Sequence, residues 1–249
     1  MNLAIAYNVR GFHRNLQEDR NHRYLSWEHC YRFFRDRGRT EGDTDTAALH
    51  LSFYLASWGM YRGSSFLLWK DYKVNCHVVD TLLLDRYRRL WQTSITTGPD
   101  DATAALVIEL VEALRSGYSR EIRMLKGKRV GKEGVKVSDT LVTKILLGTL
   151  GCTPAFDTYF LDGVRYVKDH TTAFACGPTL NTRNLRSLWE FYGSHERAFG
   201  SLGMRTQAGN LPYPPMKLVD MYFWSIGYRE WLRTKAKKGN EEREVRRNH

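Results

Sequence analysis

The chain has 249 residues, 42% of them hydrophobic, and 38 Lys and Arg against 27 Asp and Glu give a formal charge of +11. It is long enough to bury a core unaided, and its basic surface suits a polyanion such as nucleic acid. Four scattered cysteines without a Cys-x-x-Cys pair suggest neither a disulfide framework nor a zinc site, and no apolar run approaches the length of about 18 residues expected of a membrane span.

The first stretch, MNLAIAYNVRGFHR, has too short an apolar run for a secretory leader, so a bacterial cytoplasmic or nucleoid setting is expected, with no membrane contact. The first clear helix lies in GDTDTAALHLSFYLASW. Asp43 or Thr44 can cap it, and Ala47, Ala48, Leu51, Tyr54, Leu55 and Trp58 recur at three and four residues. It runs into Gly59 and Gly63, which bracket Met60, Tyr61 and Arg62 where helical continuity weakens.

Asp100 or Asp101 opens the next helix, Leu106, Val107, Leu110, Val111 and Leu114 share a face, and Gly117 reads as its stop. Residues 120–138 are dense in Lys, Arg and Gly and read as an exposed connection. Leu141, Val142, Ile145, Leu146, Thr149 and Leu150 form one stripe. Leu185, Leu188, Trp189 and Tyr192 form another, and Val219, Tyr222, Phe223 and Ile226 a third, entered through Pro214 and Pro215. No hairpin pattern competes with these, so the expected fold class is all-α, with about eight to ten helices. Residues 1–236 are expected to form one globular helical unit, with possible lobes 1–119 plus the C-terminal helices and 120–200. Residues 237–249 are a charged tail, frayed or an extension of the last helix.

Several short patterns carry candidate chemistry. GKRVGKE has a phosphate loop's glycines at too short a spacing and Glu133 where a magnesium-binding hydroxyl belongs, so it is set aside. Arg23 to His29 and Arg165 to His170 have the Arg-to-His spacing of HEPN-like ribonucleases, a loose pattern in so arginine-rich a chain. Tyr54, Trp58 and Tyr61, with Arg62 beside them, admit two readings: core of a kinked helix, or a slot for a planar ligand such as an unstacked base. Asp157, in TLVTKILLGTLGCTPAFDTYF, also admits two: an ordinary helix cap, or a catalytic carboxylate.

That stretch resembles the catalytic signature of the helix-hairpin-helix DNA glycosylase superfamily: a hairpin, an apolar helix, a short Pro-containing link and an aspartate opening the next helix. TKILLGTLG matches the helix and AFDTYF the aspartate end, within residues 132–162. The resemblance implies a two-lobed helical domain with a central cleft and DNA as partner, with no cofactor and no obligatory protein partner. Asp157 would then stabilise the positive charge that builds on the deoxyribose.

Trp58, Tyr61 and Tyr54 would wall the base pocket, and Arg129, Lys132, Lys136, Lys144 and Arg62 would contact phosphates. Lys144, opposite the apolar stripe, is expected to face solvent or phosphate. The chain departs from the family in placing Lys136, Val137 and Ser138 where the hairpin has Gly-apolar-Gly. Thr140 stands where bifunctional members carry an imine-forming lysine, so the expected activity is monofunctional. The alternatives are a non-catalytic nucleic-acid-binding helical protein and a HEPN-like ribonuclease. Damaged, alkylated, deaminated and hypermodified bases all remain open as targets, as do repair and defence against phage DNA.

Overall fold

The computed structural model describes residues 2–36, 44–63, 65–92, 100–123, 137–171, 174–207 and 209–247. Among them are eleven α-helices and no strand: α1 Asn2–Glu18, α2 Ser26–Asp36, α3 Thr44–Ser57, α4 Cys76–Leu83, α5 Arg88–Gln92, α6 Asp101–Arg123, α7 Asp139–Thr149, α8 Thr158–His170, α9 Thr182–Ser194, α10 Glu196–Gly200 and α11 Pro215–Arg247. The all-α expectation holds. The two shortest helices, α5 and α10, lie where the sequence offers too few turns for a stripe to repeat. Gly117 sits inside α6 instead of ending it, because the helix continues past it to Arg123. Among the described residues no helix is long and apolar enough to cross a membrane, and Cys30, Cys76, Cys152 and Cys176 are free thiols.

Helix α7 is the centre of the molecule. Residues Leu141 to Thr149 are all buried, with α2, α3 and α6 packed around them. Its N-terminus is closed by the Ser138 side chain, which accepts from the Leu141 N–H at 3.2 Å, satisfying one of the free donors of a first turn. Trp27 on α2 donates its indole N–H to the Leu147 carbonyl at 3.0 Å. The Tyr54 ring lies against Gly148, where a Cβ would come within 2.8 Å of its Cδ1.

α8 and α11 make the closest helix pair. At their crossing Gly163 faces the Phe223 carbonyl and Gly227 faces the Tyr159 carbonyl, each so near that a Cβ would overlap backbone. Small residues on both helices let the main chains approach without intervening side chains. α11 begins with Pro215, whose missing N–H costs nothing in a first turn, and it extends through most of the charged tail. Buried apolar side chains from Ile5 to Ile226 form one contiguous core.

Candidate functional site

A link of eight residues, Leu150 to Asp157, joins α7 to α8, and side chains from three helices hold its backbone. Gly151 adopts φ +66° and donates its N–H to the Leu146 carbonyl at 2.8 Å. A Cβ there would also lie 2.6 Å from Pro214 Cγ, so glycine meets both the conformational and the spatial demand. Trp189 of α9 donates to the Cys152 carbonyl at 3.0 Å. The Asp220 carboxylate of α11 accepts the Ala155 N–H at 3.0 Å. Thr143 of α7 accepts the Phe156 N–H at 2.9 Å, and Thr140 donates to the Phe156 carbonyl at 2.8 Å. The position of the next residue, Asp157, is thereby fixed.

Asp157 does cap α8, its Oδ1 accepting from the Phe160 N–H at 3.1 Å. Its Oδ2 lies 3.5 Å from the Lys144 ammonium, with the aspartate side chain 15% exposed and the lysine 6%. Lys144 also donates to the Trp58 carbonyl at 2.9 Å. Burial pushes the Asp157 carboxyl above its ordinary value while the lysine pulls it back. Burial likewise lowers the Lys144 ammonium below an ordinary lysine, with Asp157 and Asp220 opposing the shift. Each group is the other's counter-ion, and the aspartate is the more accessible of the two.

The pair opens into a cavity of about 530 Å³, lined by parts of α1, α7, α8, α11 and the chain after α3. Phe, Tyr and Trp supply seven of its 18 lining residues. Tyr24 stacks on Trp58 at 4.3 Å between centroids. Along α11, Trp224 stacks on Tyr228 at 5.0 Å and Tyr228 on Trp231 at 5.8 Å, three residues at i, i+4 and i+7 on one helical face. Tyr159 meets all three edge-on at 5.2, 5.3 and 5.7 Å. Arg23 and Arg62 are exposed lining residues, and Lys235 sits over the Trp231 ring at 5.1 Å, so cations edge the same region.

A second buried ion pair underlies Trp58. Lys217 lies 2.9 Å from Asp220, and its ammonium stands 4.6 Å from the Trp58 ring centroid, 5.1 Å from Trp27 and 5.2 Å from Phe12. Lys144 is 5.6 Å from the same Trp58 ring. Two ammonium groups and Tyr24 therefore engage this one indole. Among the described residues, no group of three or more His, Cys, Asp or Glu is placed to hold a metal ion.

The structure brings Asp157, Lys144, Trp58 and Arg62 to one cavity and corrects other expectations. Lys144 does not face solvent: it is 5% exposed, because α7 is enclosed all round and its charge is met by Asp157. Tyr54 is fully buried against Gly148, one turn deeper than the cavity wall. Tyr61 turns away into a separate polar network, accepting from Asn75 at 3.2 Å. Gly59, at φ +77° with the Arg62 side chain against it, redirects the chain so that Arg62 reaches the cavity and Tyr61 does not. Arg129, Lys132 and Lys136 lie outside the described residues.

The ribonuclease-like pairs do not converge within the chain. His29 is exposed on α2 while Arg23 lines the cavity; Arg165 pairs with Asp162 at 2.9 Å, and His170 bonds the Tyr166 carbonyl of its own helix at 2.7 Å. The aromatic residues Tyr24, Tyr159, Trp224, Tyr228 and Trp231 were not identified from the sequence. The spacing of the last three was visible beside the Val219–Ile226 stripe, but reads there as a broadening of the packed face. Comparison of the chain with protein-family models, with curated proteins and with solved structures finds no match.

Proposed function

We propose that this protein is a DNA glycosylase that hydrolyses the N-glycosidic bond of a flipped nucleotide and leaves an abasic site. The observation that carries the reading is Asp157, a partly accessible carboxylate held beside a buried ammonium at an aromatic cavity large enough for an extruded base. A base inside a duplex is unreachable, so the nucleotide must leave the stack and be received by a pocket with flat aromatic side chains and polar partners. The helix-hairpin-helix resemblance of residues 132–162, with its implied two-lobed cleft, belongs to the same proposal. So does the bacterial cytoplasmic setting.

In this mechanism the departing base draws electrons from the glycosidic bond and positive charge builds on the deoxyribose. Asp157, ionised beside Lys144, stabilises that charge and orients a water toward C1′. The water supplies hydroxyl to C1′ and a proton leaves with the base. Lys144 acts as a positioning residue that keeps the carboxylate anionic despite its burial. Arg23 and Arg62 fit the flanking phosphates, which position DNA without reading sequence; Arg129, Lys132 and Lys136 are proposed to add to them.

The test compares base release and abasic-site formation on a panel of damaged and modified DNAs between the parent and Asp157→Asn. Asparagine caps a helix about as well as aspartate, so loss of release with DNA binding retained assigns the chemistry to the carboxylate. Equal release by both proteins would demote Asp157 to a cap. No release by either, with tight DNA binding, would replace the enzyme with a nucleic-acid-binding protein.

A further inference from the structure

Within the glycosylase reading, on which this step rests, we infer that the base removed is neutral and carries a bulky substituent of the hexose class. Size is the first argument. A cavity of about 530 Å³ falls in the range that encloses a drug-sized ligand, roughly 300–1,000 Å³, and a lone pyrimidine or purine would leave much of it filled with water.

Charge is the second argument. The ammonium groups of Lys217, buried behind Trp58, and Lys144, at the wall, already stand 4.6 and 5.6 Å from the Trp58 ring centroid, so a cationic alkylated base would meet like charge at and behind the indole that would otherwise attract it. Of the carboxylates that offset them, Asp220 is committed to Lys217 and to the Ala155 N–H, and Asp157, paired with Lys144, is the one the mechanism assigns to the deoxyribose. A neutral base meets no such penalty.

Shape is the third argument. Trp224, Tyr228 and Trp231 form a stepped aromatic surface, and it ends in Trp231, an indole still 39% exposed although Tyr228 stacks on it and the Lys235 ammonium stands over its ring. A pyranose presents apolar C–H faces that lie flat on such rings, while its equatorial hydroxyls point sideways. Asn15, His22 and Arg62 in the same lining supply hydrogen-bonding partners for those hydroxyls. A base whose sugar extends along α11 fills the length that a bare base leaves empty. The reaction balances as before: water adds hydroxyl to C1′, the N-glycosidic bond breaks, and the glycosylated base leaves intact with a proton.

The experiment uses four oligonucleotide duplexes, each with one altered base: glucosylated 5-hydroxymethylcytosine, unglucosylated 5-hydroxymethylcytosine, uracil and 7-methylguanine. Release and binding anisotropy are measured for the full chain and for Trp231→Ala. The expected result is release from the glucosylated duplex at least about tenfold faster than from the others, the worth of one buried aromatic contact, with that preference lost in Trp231→Ala. Release of uracil or 7-methylguanine as fast or faster would overturn the inference and leave the glycosylase standing. With no release from any duplex the glycosylase reading fails, and binding decides the pocket. A preference of the same size for the glucosylated duplex, lost in Trp231→Ala, retains the substrate class; equal binding of all four overturns it.

Discussion

Replacing Gly227 by alanine tests the α8–α11 crossing, the contact that sets two walls of the cavity. The new methyl would fall on the Tyr159 carbonyl and within 2.8 Å of the Gly163 nitrogen, all main-chain atoms that no rotamer change can move. Restoring ordinary contact requires the helices to part by on the order of 1–2 Å. Overpacking of this kind costs about 1–3 kcal/mol, and the backbone contact puts it near 3, while alanine's better helix propensity returns about 1. The net loss of about 2 kcal/mol should lower the midpoint of thermal unfolding by about 4–8 °C in a chain of this size.

The control is Gly11→Ala in α1, where nothing lies within 4 Å of the added methyl. There only propensity acts, and the midpoint should rise by about 1–4 °C. Thermal melts followed by circular dichroism at 222 nm, at one pH and protein concentration, read both. If Gly227→Ala melts at or above the parent, or the two variants shift in the same upward direction, the close approach of α8 and α11 is refuted.

Lys144→Met removes the charge that pulls the Asp157 carboxyl down against burial. Under the proposed glycosylase activity, the acid limb of base release should lie above the ordinary aspartate value of 3.8 in the parent and move further up in the variant, and a pH–rate profile showing an unmoved or lowered limb would refute the coupling. The same raised carboxyl means that the unfolded chain loses its proton first, so Asp157 costs stability as pH rises from 3.8 toward its folded value. Denaturant midpoints across that window should accordingly fall less steeply with rising pH in Asp157→Asn than in the parent.

Thr143→Val leaves the buried Phe156 N–H without its acceptor, costing about 1–3 kcal/mol and lowering kcat more than it raises KM. Thr143→Ser should restore both, and failure of that rescue would put the effect in packing. Borohydride reduction during turnover should trap no protein–DNA adduct, since Thr140 has no amine and the Lys144 ammonium is held by Trp58 and Asp157. An adduct that disappears in Lys144→Met would make that lysine the nucleophile.

The helices were legible because each repeats its apolar positions over several turns, as α3, α6 and α9 do. The burial of Lys144 is hidden from the sequence for a reason of the same kind. Periodicity within α7 finds the apolar stripe but says nothing of the helices packed on its other side. A subtler sign was present: after Asp139 the helix carries a single charge, Lys144, among Thr, Gly and apolar residues, whereas a solvated face carries several. Trp58 and Tyr54, four residues apart, could not be told apart from spacing, since one turn of depth separates cavity wall from core. The aromatic surface on α11 escaped because packing and ligand binding use the same residue types. Tyr24 offered no pattern, lying in a short turn between helices and reaching Trp58 only through the tertiary fold.

The residues that hold the carboxylate and those that shape the outer cavity are separate sets. Thr140, Thr143 and Asp220 fix the link before Asp157 through its backbone, whereas Tyr228 and Trp231 stand one and two turns beyond Trp224 and touch none of those bonds. Under the glycosylase proposal, a lineage under pressure to accept a different base can therefore drift at positions 228 and 231 while the inner end stays intact. Divergent descendants of such a protein would keep the two threonines and both aspartates and differ most along the outer turns of α11, and directed evolution of new specificity would begin there.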